Sequence, residues 1–213
     1  MNRTTITHWI GIAVSTACLA CLPACQNRQK QAAVLLRKEL AARNAAHGSS
    51  MELLRKALEA QGKGQRAAAR QCLTQAVAGD DRNAQAWMAL GTLEYQDGNY
   101  YQAACAFHRA SRLEPTRYEP YFNIGLVMES AGQYSKAVAA YESALKLSGE
   151  DVAVMEHLAR GYIKTQTNLP AARRLIDKAA GAECRPEWVR WLGEQSRKLA
   201  QSPASGPADD GAE

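Results

Sequence analysis

Small and large apolar positions recur along this chain every 34 residues. Ala57, Gly91, Gly125 and Ala159 form one column of small residues at that spacing. Ala69, Ala103 and Ala137 form a second, and Ala76, Ala110 and Ala144 a third. Leu73, Phe107 and Tyr141 form a column of large side chains, and Gly64, Gly98 and Gly132 a column of glycine. A fixed period of this length is the signature of stacked repeats, each too small to bury its own apolar face. The small and large columns on either side of each glycine predict a helix hairpin. Small residues let its two helices approach, and the large ones fill the space between neighbouring hairpins. Glycine takes the left-handed backbone of the turn at little steric cost. Units at 50–83, 84–117, 118–151 and about 152–186 follow. In the fourth, "TQTNLPAA" lengthens the turn by one residue and moves the alanine column to Ala172. Pro170 there suits the first turn of a helix, and Pro115 follows a second helix that it cannot continue.

The second unit reads "WMALGTLEYQDGNYYQAACAFHRASRLEP". Trp87, Leu90, Gly91, Tyr95, Ala103, Phe107 and Pro115 read as a full match to the tetratricopeptide repeat pattern. On these residues the chain is identified as a tetratricopeptide repeat protein. The resemblance implies an all-α superhelix of about four hairpins. "RPEWVRWLGEQSRKLAQ" then has Trp188, Trp191, Leu192 and Leu199 at helical spacing. A capping helix over 187–200 is expected to cover the last open face.

The resemblance also implies a concave surface lined by the first helix of each unit. Carried over by repeat position, the candidate partner-binding residues are Leu54, Leu58, Met88, Thr92, Gln96, Phe122, Leu126, Glu129 and Arg160. Their apolar members predict a groove for an amphipathic helix or an extended apolar segment. Residues 31–46 of the same chain are a competing occupant. The residues that clamp a terminal carboxylate in some family members are replaced here by Leu54, Leu58, Ala89, Glu119 and Asn123. A carboxylate clamp is not expected.

The two ends differ from the repeats. From Ile10 to Leu22 the chain carries no charge, which is the apolar region of a secretory signal. As a helix this run spans about 20 Å, short of a bilayer core of ~30 Å. It ends in "LPAC", in which Leu22, Ala24 and Cys25 resemble the bacterial lipobox, while Pro23 departs from it. That resemblance implies cleavage after residue 24 and lipidation of Cys25. Gln26 in place of Asp then implies the outer membrane, periplasmic face. Cys18 and Cys21 are spaced C-x-x-C, but they fall in the discarded segment with no second ligand pair. Residues 25–49 read as a lipidated linker with one helix around Val34, Leu35, Leu36 and Leu40. That helix either packs on the first repeat, which is the expectation, or lays Arg28, Lys30, Arg37 and Lys38 over anionic headgroups. "SPASGPADDGAE" is expected to be a disordered tail over 201–213.

Charge and candidate chemistry change this picture little. Lys and Arg number 26 against 21 Asp and Glu, a net charge of +5 without a basic block. That gives no footprint for nucleic acid. Cys72, Cys105 and Cys184 remain in the body, an odd number that an oxidising compartment permits to pair only in part. His47, His108 and His157 form no metal or catalytic spacing, and no nucleophile elbow or phosphate loop is present. An enzyme is not expected, nor a cofactor, metal or small-molecule substrate. The architecture resembles the repeat lipoproteins of type IV pilus biogenesis and of Tad pilus assembly. That resemblance implies an envelope protein as partner, a secretin or another pilus component. An adaptor that recruits cell-wall synthesis or hydrolysis enzymes is the alternative.

Overall fold

A computed structural model describes residues 3–182 together with 190, 191, 193, 194, 197 and 198, with side chains described from residue 27 onward. Among the described residues every regular element is an α-helix. These are α1 (Arg3–Gly62), α2 (Arg66–Gly79), α3 (Ala84–Gln96), α4 (Tyr100–Leu113), α5 (Glu119–Ser130), α6 (Tyr134–Ser148), α7 (Val152–Thr165) and α8 (Leu169–Ala182). The chain divides into two compact units between Ser49 and Ser50. The fold of the second unit is an all-α tetratricopeptide superhelix.

Within it, α3 packs on α4, α5 on α6 and α7 on α8 as hairpins, and each second helix packs on the next first helix. The end of α1 and α2 make the first hairpin through Leu54, Ala57, Ala60, Ala69 and Leu73. The large residues of the 34-residue column are its structural centre. Leu73, Phe107, Tyr141 and Ile176 are all but fully buried. Each contributes on the order of 2 kcal/mol of apolar burial. Ile176 continues their column after the one-residue insertion in the fourth turn.

Each large residue meets a small one of matching size. A Cβ at Gly91 would stand 2.7 Å from the Phe107 ring, and one at Gly125 would collide with the Tyr141 ring. In the outer hairpins the large residue is aliphatic, Leu73 or Ile176, and the small one is Ala57 or Ala159 in the same core cluster. Flat rings lie against glycine, and branched aliphatics against alanine.

The four hairpin turns share one hydrogen-bond pattern. Gln65, Asn99, Gln133 and Thr167 donate their backbone N–H to Ala60, Glu94, Met128 and Tyr162, at 2.8 to 3.0 Å. This six-to-one bond closes a Schellman motif and satisfies carbonyls that the helix end leaves open. The motif needs a positive φ one residue earlier. Gly64, Gly98 and Gly132 supply it at 71°, 76° and 72°. In the fourth turn Gln166 holds the same place at φ 55°, and its amide donates to the Ile163 carbonyl at 2.9 Å. A side chain in that region costs about 1 to 2 kcal/mol, which the amide bond offsets in part. Gln166→Gly is therefore expected to stabilise the fold by about 1 kcal/mol, read as a higher denaturant midpoint with unchanged slope.

Successive units are also tied by polar contacts at one repeat position. Ser50 donates to the Ala76 carbonyl and accepts from Asn83, which caps α3 by accepting from the Ala86 N–H. One unit pair later, Tyr118 donates to Asp151, which caps α7 by accepting from Val154. In both cases the first residue of a unit holds the N-cap of the next, so helix start and repeat stacking are one event.

One expectation needs correction. Counting from Gly91, the aromatic place of the repeat pattern falls on Glu94, and Tyr95 lies one residue beyond. Glu94 is nonetheless buried, because Arg70 of the preceding hairpin and Asn99 of its own turn both donate to it. α1 runs without a turn through "HGSS", and Val34, Leu35, Leu36 and Leu40 are 56% to 67% exposed. Cys72 and Cys105 are free thiols, one half-buried and one exposed. Cys184 and the tail at 201–213 lie outside the described residues, as do Trp188, Leu192 and Leu199 of the cap and the Cys25 side chain. Trp191 is described and packs beside the core of the last hairpin.

Candidate functional site

The first helices place the carried-over positions at very different depths. Leu54 is 6% exposed and belongs to the core of the first hairpin, so it is not open to a partner. Leu58, one turn on, is 53% exposed. Met88 lies half-buried against the Phe107 cluster, and Phe122 and Leu126 lie half-buried against the Tyr141 cluster. Thr92 is half-buried and turns its hydroxyl back to the Met88 carbonyl of its own helix. Gln96 is exposed. The expected apolar groove is thus mostly a polar and aromatic surface. A first helix has its partners on two sides, the second helix of its own unit and that of the unit before. The large residues of the groove positions reach into those seams.

Glu129 and Arg160 are the two carried-over residues that the fold brings together, at the seam of α5, α6 and α7. One Glu129 carboxylate oxygen accepts the Tyr141 hydroxyl at 2.6 Å and lies 3.0 Å from His157 Nδ1. The other lies 3.7 Å from the Arg160 guanidinium, which also pairs with the buried Glu156. The His157 ring stands edge-on to Phe122 at 5.3 Å and tilted against Tyr141 at 5.4 Å. The His157 bond, ahead of the opposing effect of burial, holds the Glu129 carboxyl below its ordinary range. Burial, reinforced by that carboxylate, pushes the Tyr141 phenol far above its ordinary value. Tyr141 therefore stays a hydrogen-bond donor, and Glu129 a carboxylate acceptor at neutral pH.

A cleft of about 160 Å³ opens above this cluster, lined by Glu129, Tyr134, Ala137, Tyr141, Arg160, Gly161 and Lys164. The Lys164 ammonium lies over the Tyr134 ring at 5.3 Å, and Arg160 over Trp191 at 5.4 Å. Cation–π contacts of this kind orient a cation without neutralising it. Further along the first-helix face, Tyr95 and Ser130 share a hydrogen bond at 2.9 Å and join α3 to α5. The face thus offers oriented hydroxyls, two cations and one carboxylate, a set suited to reading a peptide. Sequence reasoning missed Tyr95, Tyr134, Tyr141 and His157. Tyr134 and Tyr141 come from second helices, which a rule based on first-helix positions does not count. Among the described residues, no group of three or more His, Cys, Asp or Glu side chains is placed to hold a metal ion.

Comparison with known proteins agrees with the fold. Tetratricopeptide repeat family models match residues 54–120 and 118–151. Superkiller protein 3 of Schizosaccharomyces pombe is 29% identical over 99 residues, 46% of this chain and 7% of that protein. Tetratricopeptide repeat protein 8 of Mus musculus is 31% identical over 98 residues, 46% of this chain and 18% of that protein. The chain therefore matches only a small part of these relatives' length. Among solved structures, Pseudomonas aeruginosa pilF aligns with a TM-score of 0.63 at 24% identity, covering 85% of this chain and 83% of that one. MamA aligns with a TM-score of 0.58 at 22% identity, covering 71% and 80%. An O-GlcNAc transferase mutant of Thermobaculum terrenum aligns with a TM-score of 0.54 at 26% identity, over 63% of this chain but 26% of that one. These likenesses establish the fold, and repeats of this kind are protein–protein interaction scaffolds. With hairpins, turns and period in agreement, residues 54–151 carry tetratricopeptide repeats.

Proposed function

We propose that this protein is a periplasmic scaffold, tethered to the outer membrane by lipid on Cys25, that captures a component of a pilus or secretion assembly. The observation that carries the reading is the joint one of "LPAC" before the repeats and a repeat array that overlays pilF over most of both chains. The capture surface is the first-helix face, from the exposed Leu58 to the Tyr134–Lys164 cleft. Recognition there relies on hydroxyls and cations as well as on Leu58, so a partner segment of mixed polarity fits better than a purely apolar helix. No bond is made or broken in this role. An adaptor for cell-wall enzymes would use the same face and the same anchor, and differs only in what it holds.

The test is affinity capture of the intact protein from detergent-solubilised envelopes, with a Leu58→Glu/Lys164→Glu variant beside it. Both sites are exposed, so the variant is expected to melt within about 1 °C of the parent while losing its partner, since surface changes are usually within ±0.5 kcal/mol. Phe122 is left untouched because its ring packs against Tyr141 and His157. A secretin or pilus subunit lost in the variant supports the reading. Wall synthases or hydrolases in its place transfer it to the adaptor. Intact mass of the protein and of Cys25→Ser tests the lipid directly.

A further inference from the structure

We infer that residues 27–49 bind an anionic lipid surface directly, as a second membrane contact beyond any anchor at Cys25. The first observation is charge segregation. This stretch carries Arg28, Lys30, Arg37, Lys38 and Arg43 against a single acid, Glu39. Residues 50–213 carry twenty basic and twenty acidic side chains, so that half of the protein is neutral as a whole. Apart from Arg3, the entire net positive charge lies in one helical stretch.

The second observation is exposure. Val34, Leu35, Leu36 and Leu40 sit within seven positions, each more than half exposed. Scattered exposed aliphatics need no explanation, but four within two helical turns leave this stretch apolar on more than one side. In proteins most helical stability comes from packing of an apolar face rather than from propensity. Something must therefore take up these side chains where the helix persists. Two copies of the same helix would bring +4 against +4, which disfavours a second chain as the cover. An anionic headgroup layer supplies both missing elements, negative charge for the five cations and an acyl boundary for the leucines. The stretch does not cross the bilayer. Among the described residues no helix is long and apolar enough for that. It follows Cys25 directly, so the inference shares its location with the proposed anchor but not its chemistry.

The experiment uses the full-length protein, reconstituted in vesicles of phosphatidylcholine alone or with 30% phosphatidylglycerol as the probe, and followed by hydrogen exchange. Slowed exchange across 27–49 is expected on the anionic vesicles only, reversed by 0.5 M salt, with the repeats unchanged. Arg37→Gln/Lys38→Gln/Arg43→Gln should cut that protection roughly a hundredfold, about fivefold for each charge removed near the surface. Equal exchange on both vesicles, slow or fast, overturns the inference. So does protection in detergent alone, which identifies a second copy where it depends on protein concentration and the chain's own repeats where it does not. Whether Cys25 carries lipid is read separately from intact mass, so failure of the anchor and failure of the surface contact are distinguishable.

Discussion

Gly91→Ala is expected to lower the melting temperature by about 4 to 8 °C, and adding Phe107→Leu should restore most of that loss. The added methyl would stand 2.7 Å from the Phe107 ring. Phe107 is all but fully buried and has no free direction in which to move. Overpacking of this kind costs roughly 1 to 3 kcal/mol, and about 2 kcal/mol in a chain of this size shifts melting by about 4 to 8 °C. Phe107→Leu alone leaves a gap beside Gly91 and is itself destabilising by about 1 kcal/mol. Together the two changes recreate the alanine–leucine pairing of Ala57 and Leu73, so they should be coupled by more than about 2 kcal/mol in a double-mutant cycle. Simple additivity of the two losses would show that small residue and ring do not act as a pair.

The second large effect is expected at Glu129. Glu129→Leu removes the 2.6 Å acceptor of the fully buried Tyr141 hydroxyl, leaves it only a 3.4 Å contact to His157 Nδ1, and removes the Glu129 contacts to His157 and Arg160. An unsatisfied buried hydroxyl costs about 1 to 3 kcal/mol, so a loss of about 2 kcal/mol is expected by urea denaturation. Tyr141→Phe in the same chain should recover part of it, since both partners are then gone. The pH dependence follows from the direction of the shift. The folded state holds the Glu129 carboxyl below its ordinary value of 4.5, so the unfolded chain binds the proton more readily. The resulting stability is fully present above about pH 5 and is lost as the pH falls through the folded value. Glu119, held low by its bond from Arg117, acts in the same direction but is more exposed. A stability profile flatter below pH 5 in Glu129→Gln than in the parent would confirm the assignment. An unchanged profile would give the acid sensitivity to other carboxylates.

The repeat was legible because stacking forces the same contact to recur. A 34-residue period writes each contact several times, and small, large and turn columns can be found without knowing what they touch. The error at Tyr95 shows the limit of that reading. An aromatic one residue from its place looks correct in a string, but on a helix one residue is about 100° of rotation. The buried position therefore fell to Glu94, which the Arg70 ion pair makes tolerable.

The groove was read less well, for a related reason. Repeat position says which residues are on the first helix, not how far a side chain reaches into a seam. Leu54 is drawn into the core while Leu58 remains outside, though both belong to one turn and are the same residue type. The Glu129 cluster gathers residues from three helices, and no spacing announces such a meeting. Gly91 beside Phe107 and Gly125 beside Tyr141 were visible as separate columns, but their joint necessity appears only when ring and glycine are seen in contact.

Sequence by itself thus determined the helical class, the hairpin unit and the turn glycines, because each depends on local backbone preference or on a periodic pattern. Tertiary structure decided which apolar side chains are buried, which carboxylate meets which hydroxyl, and that Gln166 adopts the glycine conformation. Those outcomes depend on surfaces contributed by other helices, and a side chain's partner is set by distance in space, not by distance along the chain.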